Sequence, residues 1–463
     1  MRSIFKISAP VLCGFVALLF MYGCSTPQNK EEGDGWVMLF NGEDLSGWKQ
    51  VNGTAPYEVI DGAIVGTTVT ESPNSFLATE NTYGDFILEF DFMLNSDINS
   101  GVQFRSIADP GIKDGRVHGY QFEFDPSDRK WTGGIYDEQR RLWLYPLSLN
   151  PNAQSAFKKG EWNKARIECI GNSIRTWLND VPVASLEDDL TPEGIIALQV
   201  HSIGNEADAG KEVKWKNIRI KTTGLAHKEG HDAFVVNLIP NTLTEQEKAQ
   251  GWSLLWDGET TNGWRGAHKD NFPAHGWKLE NGVMEVLESG GGESVNGGDI
   301  VTEEQYGAFE LQLEFKLTEG ANSGIKYFVT EQEKVQNASA IGLEYQLLDD
   351  ERHPDAKMGR DGNRTLASLY DLKTAQKQSR FLKPIGEWNR ALLVVRPDNT
   401  VEHWLNGVKV LEYERGSEEF HKLIAQSKYK DWENFGLAEK GHILLQDHGN
   451  NVAFRSIKIR NLE

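Results

Sequence analysis

One pattern occurs twice in this chain, and that limits the fold more than any other feature. Trp36-Val-Met-Leu-Phe-Asn-Gly-Glu-Asp-Leu-Ser-Gly-Trp48 returns as Trp252-Ser-Leu-Leu-Trp-Asp-Gly-Glu-Thr-Thr-Asn-Gly-Trp264. The echo continues in order: Tyr83-Gly-Asp-Phe with Tyr306-Gly-Ala-Phe, Asn99-Ser-Gly-Val with Asn322-Ser-Gly-Ile, Gly160-Glu-Trp-Asn with Gly386-Glu-Trp-Asn, and Trp177-Leu-Asn with Trp404-Leu-Asn. A period above 200 residues means tandem domains, because solenoid and propeller units repeat every ~20–50 residues. The offset drifts along the chain, so the copies differ by loop insertions. The 463 residues accommodate two all-β domains of ~200 residues each.

The first residues differ in kind from the rest. Arg2 and Lys6 precede an apolar run from Val11 to Phe20, as in a secretory signal. Met21-Tyr-Gly-Cys24-Ser then resembles a bacterial lipoprotein site, with Cys24 as the lipidated first residue. Residues 1–23 are read as signal, 24–34 as a polar tether, 35–223 as the first domain, 224–250 as a linker with a short helix, and 251–463 as the second domain. The protein is therefore expected to be exported and lipid-anchored, in the periplasm or at the cell surface. Of three cysteines only Cys169 is left for the folded part, so no intrachain disulfide is expected. Loss of Arg2 and Lys6 with the signal moves the net charge from −20 to −22. Such a surface repels nucleic acid and anionic lipid, leaving the lipid anchor as the expected membrane contact. No phosphate-binding glycine loop or zinc-type cysteine pair is present, so no cofactor is evident.

Both copies alternate at period two, as in Gly84-Asp-Phe-Ile-Leu-Glu-Phe-Asp-Phe-Met-Leu94 and Ala308-Phe-Glu-Leu-Gln-Leu-Glu-Phe-Lys-Leu317. That pattern predicts half-buried strands. Asn41-Gly42, Asp61-Gly62, Asn281-Gly282 and Asn406-Gly407 are hairpin signals. With few amphipathic helices, the fold class is all-β, a β-sandwich in each copy. The polar stretch from Lys221 to His231 reads as solvated linker, Thr244-Glu-Gln-Glu247 as a capping box, and Ser417 to Gln426 as a helical insertion present only in the second copy.

Candidate chemistry lies on paired polar positions. In Gly342-Leu-Glu-Tyr-Gln-Leu-Leu-Asp-Asp350, Glu344 and Gln346 share one sheet face. The first copy reads Gly119-Tyr-Gln-Phe-Glu-Phe-Asp125, with the acid and amide exchanged as Gln121 and Glu123, and an aspartate, Asp125 or Asp349, closing each stretch. Gln199 and His201 form a second shared-face pair, matched by Gln446 and His448. A histidine beside a carboxylate is a reasonable acid/base combination near neutral pH. The loop after Asp349, with Arg352, His353, Asp355, Lys357, Arg360 and Arg364, is expected to rim a site. Trp131, Trp143, Tyr370 and Trp404 are candidate sugar platforms.

Leu39-Phe-Asn-Gly, Asn-Ser-Gly-Ile/Val, Gly-Leu-Glu-Tyr-Gln-Leu-Leu-Asp, Gly-Glu-Trp-Asn, His403-Trp-Leu-Asn-Gly and Leu445-Gln-Asp-His-Gly together resemble the 3-keto-disaccharide hydrolase family. The resemblance implies two tandem concanavalin A-like lectin/glucanase (jelly-roll) sandwiches and a carbohydrate substrate whose sugar is oxidised at C3. It covers both copies and is closer in the second. The first has Thr176 for His403 and Val200 for Asp447, although its Arg105 looks typical of the family. The implied chemistry is removal of the C2 proton, elimination of the C1 substituent and addition of water. Glu344 or His448 would be the base, with Lys326, Gln346 or Arg364 as polarising donors and Asp349 in the catalytic set. Tyr370, His353, Asp355, His403, Trp404, Gln446 and Asp447 would contact substrate. A divalent ion on Asp349 and Asp355 is conceivable but has no clean ligand spacing. Two rivals stay open: a conventional glycosidase using Glu344 with Asp349, and a non-catalytic carbohydrate-binding protein.

Overall fold

The computed structural model describes residues 31–290, 292–331 and 340–463. The signal and Cys24 lie outside the described residues. Of the tether, Glu31–Glu32 is described, pairing antiparallel with Trp36–Met38. Among the described residues no helix is long and apolar enough to cross a membrane.

Each copy folds as two facing β-sheets. In the first, a ten-stranded sheet packs on a seven-stranded one; in the second, an eight-stranded sheet packs on a five-stranded one. The apolar residues expected on the inner faces meet there. Phe90, Phe92, Phe122, Phe124 and Trp215 belong to one continuous core, and Phe309, Phe315, Tyr327, Tyr345 and Phe454 to the other. The architecture is thus a pair of β-sandwich jelly rolls, as the alternating pattern and the resemblance imply.

Six strands carry, or run directly into, the paired polar residues singled out above. In the first sandwich they are β1 (Ser100–Ile107), β2 (His118–Phe124) and β3 (Ile195–Val200). In the second they are β4 (Asn322–Thr330), β5 (Ile341–Leu348) and β6 (His442–Leu445). The order is the same in both, with the middle strand, β1 or β4, flanked on one side by β2 or β5 and on the other by β3 or β6. A bulge interrupts β1 and β4 at the same place, and Arg105 and Phe328 there both take positive φ, 42° and 53°.

Three of the four hairpin signals mark tight turns between neighbouring strands, with Asp61-Gly62, Asn281-Gly282 and Asn406-Gly407 all at positive φ. Asn41-Gly42 is different: the Asn41 side chain accepts from the amides of Glu43 and Asp44 and closes a loop. Thr244 and Glu247 form the expected reciprocal cap on α1 (Glu245–Ala249), and Ser417 caps α2 (Glu418–Ala425).

The segment between the sandwiches is docked rather than solvated. His231 is buried against Trp177, ring centroids 4.6 Å apart, and His227 Nδ1 lies 3.0 Å from Glu168. Val235–Asn237 then joins the large sheet of the first sandwich, parallel to Val181–Glu187. The sandwiches also touch directly: Phe381 packs on Trp131 at 5.1 Å, Arg390 donates to the Leu144 carbonyl at 2.6 Å, and Ser148 donates to the Gly407 carbonyl at 2.6 Å.

Candidate functional site

The alternation that builds these strands predicts a solvated polar face, yet β5 is buried along nearly its whole length. Glu344 is 5% exposed and Gln346 1%. Loops folded over the five-stranded sheet cover the polar face and leave a cavity of 340 Å³, within the usual range for a small-molecule site. Lys326, Glu344, Gln346, Tyr370, Gln446 and His448, all identified from the sequence, line this one cavity.

The register explains the grouping. Lys326 on β4 stands directly opposite Glu344 on β5. Gly324, two pairs further along and on the same face, lets the Glu344 side chain lie across β4, because a Cβ there would sit 2.3 Å from a Glu344 carboxylate oxygen. The equivalent Gly101 lies under Gln121, where a Cβ would come within 2.7 Å. The glycine of the repeated Asn-Ser-Gly motif is therefore a clearance for the polar side chain that follows on the next strand.

Electrostatics set the state of this pair. Loss of hydration pushes the Glu344 carboxyl up to about 7, against the pull of Lys326 and Lys428, with Glu293 and Asp299 adding to the rise. Asp299, buried behind Lys326 at 3.7 Å, is likewise raised by desolvation. Lys326 loses hydration, but the charges of Asp299, Glu344 and Glu293 hold its ammonium above the ordinary lysine value. At neutral pH the cavity thus offers a carboxylate with a base's proton affinity beside a fixed ammonium.

Hydrogen bonding leaves several groups free to meet a ligand. Gln346 Nε2 donates to Asn322 at 3.1 Å and Gln446 Nε2 to Glu293 at 3.2 Å. The opposite amide oxygens of both glutamines, and Nδ1 of His448, are buried without a protein partner. Buried polar atoms are ordinarily satisfied, so these three atoms around one cavity are available to a bound ligand or to water.

The remaining candidates sit elsewhere and do other work. Asp349 does not line the cavity: it accepts from the Gly320, Glu351 and Arg352 amides and ties down the turn after β5. Arg364 is held between Asp355 and Asp371 at 2.8 and 2.7 Å, so its guanidinium is not a free polarising group. Asp355 also accepts from the Tyr370 hydroxyl at 2.9 Å and so fixes the one residue of this loop that faces the cavity. His353 stands behind His448, ring centroids 5.9 Å apart. Asp447 accepts from the Gly297, Gly298 and Gly449 amides and pins the loop that carries Glu293. His403 is enclosed in the core between Tyr327 and the Ala367 carbonyl, where burial lowers its pKa to about 4. Trp404, on the next position of that strand, donates to Glu402 and is also remote from the cavity. Among the described residues no group of three or more His, Cys, Asp or Glu is placed to hold a metal ion.

Sequence reasoning missed Glu293, Asn322, Lys428, Tyr429 and Trp432, which complete the lining. The last three follow α2, in the insertion that only the second copy has. Their signal was available: an insertion confined to one copy closes that copy's cavity. Lys428 is held by its backbone amide on Asp371 at 2.7 Å, and its ammonium lies over the Tyr370 ring at 4.3 Å.

The first sandwich assembles a different site on the same strands. Gln121, Glu123 and His201 line a cleft of 740 Å³. Gln103 takes the place of Lys326 and donates to Gln121 at 2.5 Å. Glu123 accepts from Asn99 and Gln121, each at 2.6 Å, and desolvation raises its pKa to about 7. Gln199, expected to share a face with His201, does not line the cleft; it is buried with both amide atoms unpartnered. Asp125 pairs with Arg129 at 3.0 Å. Arg105 is structural: it donates to the Gly84 and Gly171 carbonyls and to Asp85. In the second copy Arg415 lies over Phe328 at 3.8 Å and occupies the corresponding corner.

Comparison with known proteins bears on both copies. A curated 3-keto-disaccharide hydrolase from Bacteroides thetaiotaomicron is 39% identical over 236 residues, covering 46% of this chain and 80% of its own length. A solved structure from Parabacteroides distasonis, described as a candidate glycosyl hydrolase, is 31% identical over 48% of this chain and 100% of its own, with a TM-score of 0.42. A carbohydrate-binding module from Bacillus subtilis is 18% identical over 38% of this chain and 95% of its own, TM-score 0.28. The profile of the 3-keto-alpha-glucoside-1,2-lyase-like domain matches residues 35–221 and again 251–460. The chain belongs to this family and carries its domain twice.

Proposed function

We propose that the second sandwich cleaves the glycosidic bond of 3-keto-glycosides, and that Glu344 is the base. The observation that carries this reading is the buried Glu344–Lys326 pair at the cavity, facing each other across β4 and β5, a carboxyl raised to about 7 beside an ammonium kept charged. A ketone at C3 acidifies the C2 proton. The Glu344 carboxylate takes that proton, and the C2–H electron pair moves into a C2=C3 enolate with its charge on the C3 oxygen. Lys326 stabilises this oxyanion, an effect strongest in a cavity that excludes water. The enolate then re-forms the ketone, a C1=C2 bond forms, and the C1–O bond breaks. His448, whose Nδ1 has no protein partner at the cavity, supplies a proton to the departing oxygen. Water adds at C1 and the proton returns to C2, giving the free 3-keto sugar. The amide oxygens of Gln346 and Gln446 accept from sugar hydroxyls, and Tyr370, Tyr429 and Trp432 provide the apolar wall.

A hydrolytic mechanism with paired carboxylates is less well supported. Glu344 and Asp349 are not brought together, since Asp349 caps the turn; Glu293 is the other carboxylate at the cavity. Aglycone release from matched pairs of parent and 3-keto-disaccharides separates the readings, because elimination requires the ketone. Equal turnover of parent sugars would sink the elimination mechanism.

Export and lipidation at Cys24 belong to the same reading: a polar tether would hold the sandwiches off a bacterial membrane, where they would meet extracytoplasmic glycans. Metabolic labelling with a clickable fatty acid, lost in Cys24→Ser, tests it.

A further inference from the structure

The cleft of the first sandwich takes no part in this reaction, yet it is more than twice as large as the cavity of the second. Its chemistry is that of a binding surface. Where the second sandwich has a base opposite an ammonium, the first has Gln121 joined to Gln103, and Glu123 is held by two amides with no cation among the charges acting on it. Formal charges along the cleft are mixed, with Asp114, Glu123 and Glu138 facing Arg116, Arg129 and Arg380, and Arg129 is already paired with Asp125. Mixed charge with many amides suits a neutral polyol better than a uronate or a phosphate. An aromatic wall is in place: Tyr136 meets Trp143 edge-to-face at 5.5 Å, and Trp131 supports Trp143 from behind at 4.9 Å. Aromatic faces and edges set among amides and carboxylates are how proteins grip sugar rings.

One wall comes from the other sandwich. Arg380 lines this cleft, placed there because its neighbour Phe381 is packed into the first core against Trp131. The cleft is complete only when the two sandwiches are together.

We propose that this shared cleft is a second carbohydrate site, which holds a neutral oligosaccharide of two or three sugar units without cleaving it. It does not depend on the reaction assigned to the second sandwich, and the test keeps the two apart. The full-length protein carrying Glu344→Gln, so that the other cavity is silenced, is titrated calorimetrically with maltotriose, cellotriose and laminaritriose. At least one is expected to bind, to lose about tenfold or more in affinity when Arg380→Ala or His201→Ala is added, and to be recovered unchanged by mass spectrometry. Arg380 is exposed and His201 half-buried, and circular dichroism of each variant confirms that it folds. The proposal is overturned if none of the three sugars binds, if affinity is the same in both added variants, or if the trisaccharide is cleaved by the Glu344→Gln protein.

Discussion

The same three strands support two clefts with different chemistry, and comparing them shows what the fold supplies and what individual residues add. Both clefts place a carboxyl of raised pKa on the middle of one sheet face, Glu344 in the second sandwich and Glu123 in the first, each driven to about 7 mainly by burial. The covered sheet therefore supplies the desolvation. What differs is the partner. Lys326 faces Glu344 and is itself braced by Asp299, whereas Glu123, two positions further along its strand, is met by amides. Burial makes a weak acid in both; only in the second do cations act on that acid, where they can stabilise the charge a proton transfer leaves behind.

The largest effect should come from removing that asymmetry at its centre. Glu344→Gln is expected to lower kcat for aglycone release by ~10³-fold, within the ~10²–10⁴ range of general-base catalysis, measured on a 3-keto-disaccharide. Lys326→Met, which makes the second cleft resemble the first in lacking an ammonium, should cost ~10²–10³-fold in kcat; a loss below about threefold would break the comparison. The pH profile sharpens it further: because the base must be deprotonated, kcat/KM should rise about tenfold per pH unit below about 7, an acid limb absent in the residual rate of Glu344→Gln.

A smaller effect concerns stability, and its sign follows from the raised pKa. Between about 4.5, the ordinary value, and about 7, the native state holds a proton that the unfolded chain has released. Stability therefore falls as pH rises through this window. Glu344→Gln should abolish that fall, gaining ~3 kcal/mol at pH 8 relative to the parent and nothing near pH 4, by urea denaturation. The smallest effect is reserved for Asp349→Asn. Losing charge-assisted bonds at a turn should cost ~1 kcal/mol of stability and less than threefold in kcat; a Glu344-like loss would return Asp349 to the catalytic set.

Much of the fold was legible because it depends on local pattern. Alternation gave the strands, Asp-Gly and Asn-Gly gave three hairpins, and Thr244 with Glu247 gave the capped helix. The cavity was half legible for the same reason: Glu344 with Gln346, and Gln446 with His448, share a face by period two alone. Spacing could not show which polar residues are drawn into turns or core. Asp349 and Asp447 look identical to ligand-binding acids until backbone amides are found to saturate them, and His403 looks like a site histidine until two sheets close over it. Long-range closure was equally hidden. Lys428 and Tyr429 are more than 80 residues from Glu344 in sequence, and only folding of the insertion after α2 brings them over the cavity.

The short parallel strand Val235–Asn237 has a consequence for how this protein can be handled. It covers the outer edge of Val181–Glu187, so a chain cut before residue 235 would leave the first sandwich with an open row of backbone donors and acceptors. Such an edge invites pairing with other chains. A dissected first sandwich that ends at the family boundary should self-associate, whereas one extended through Asn237 should stay dispersed.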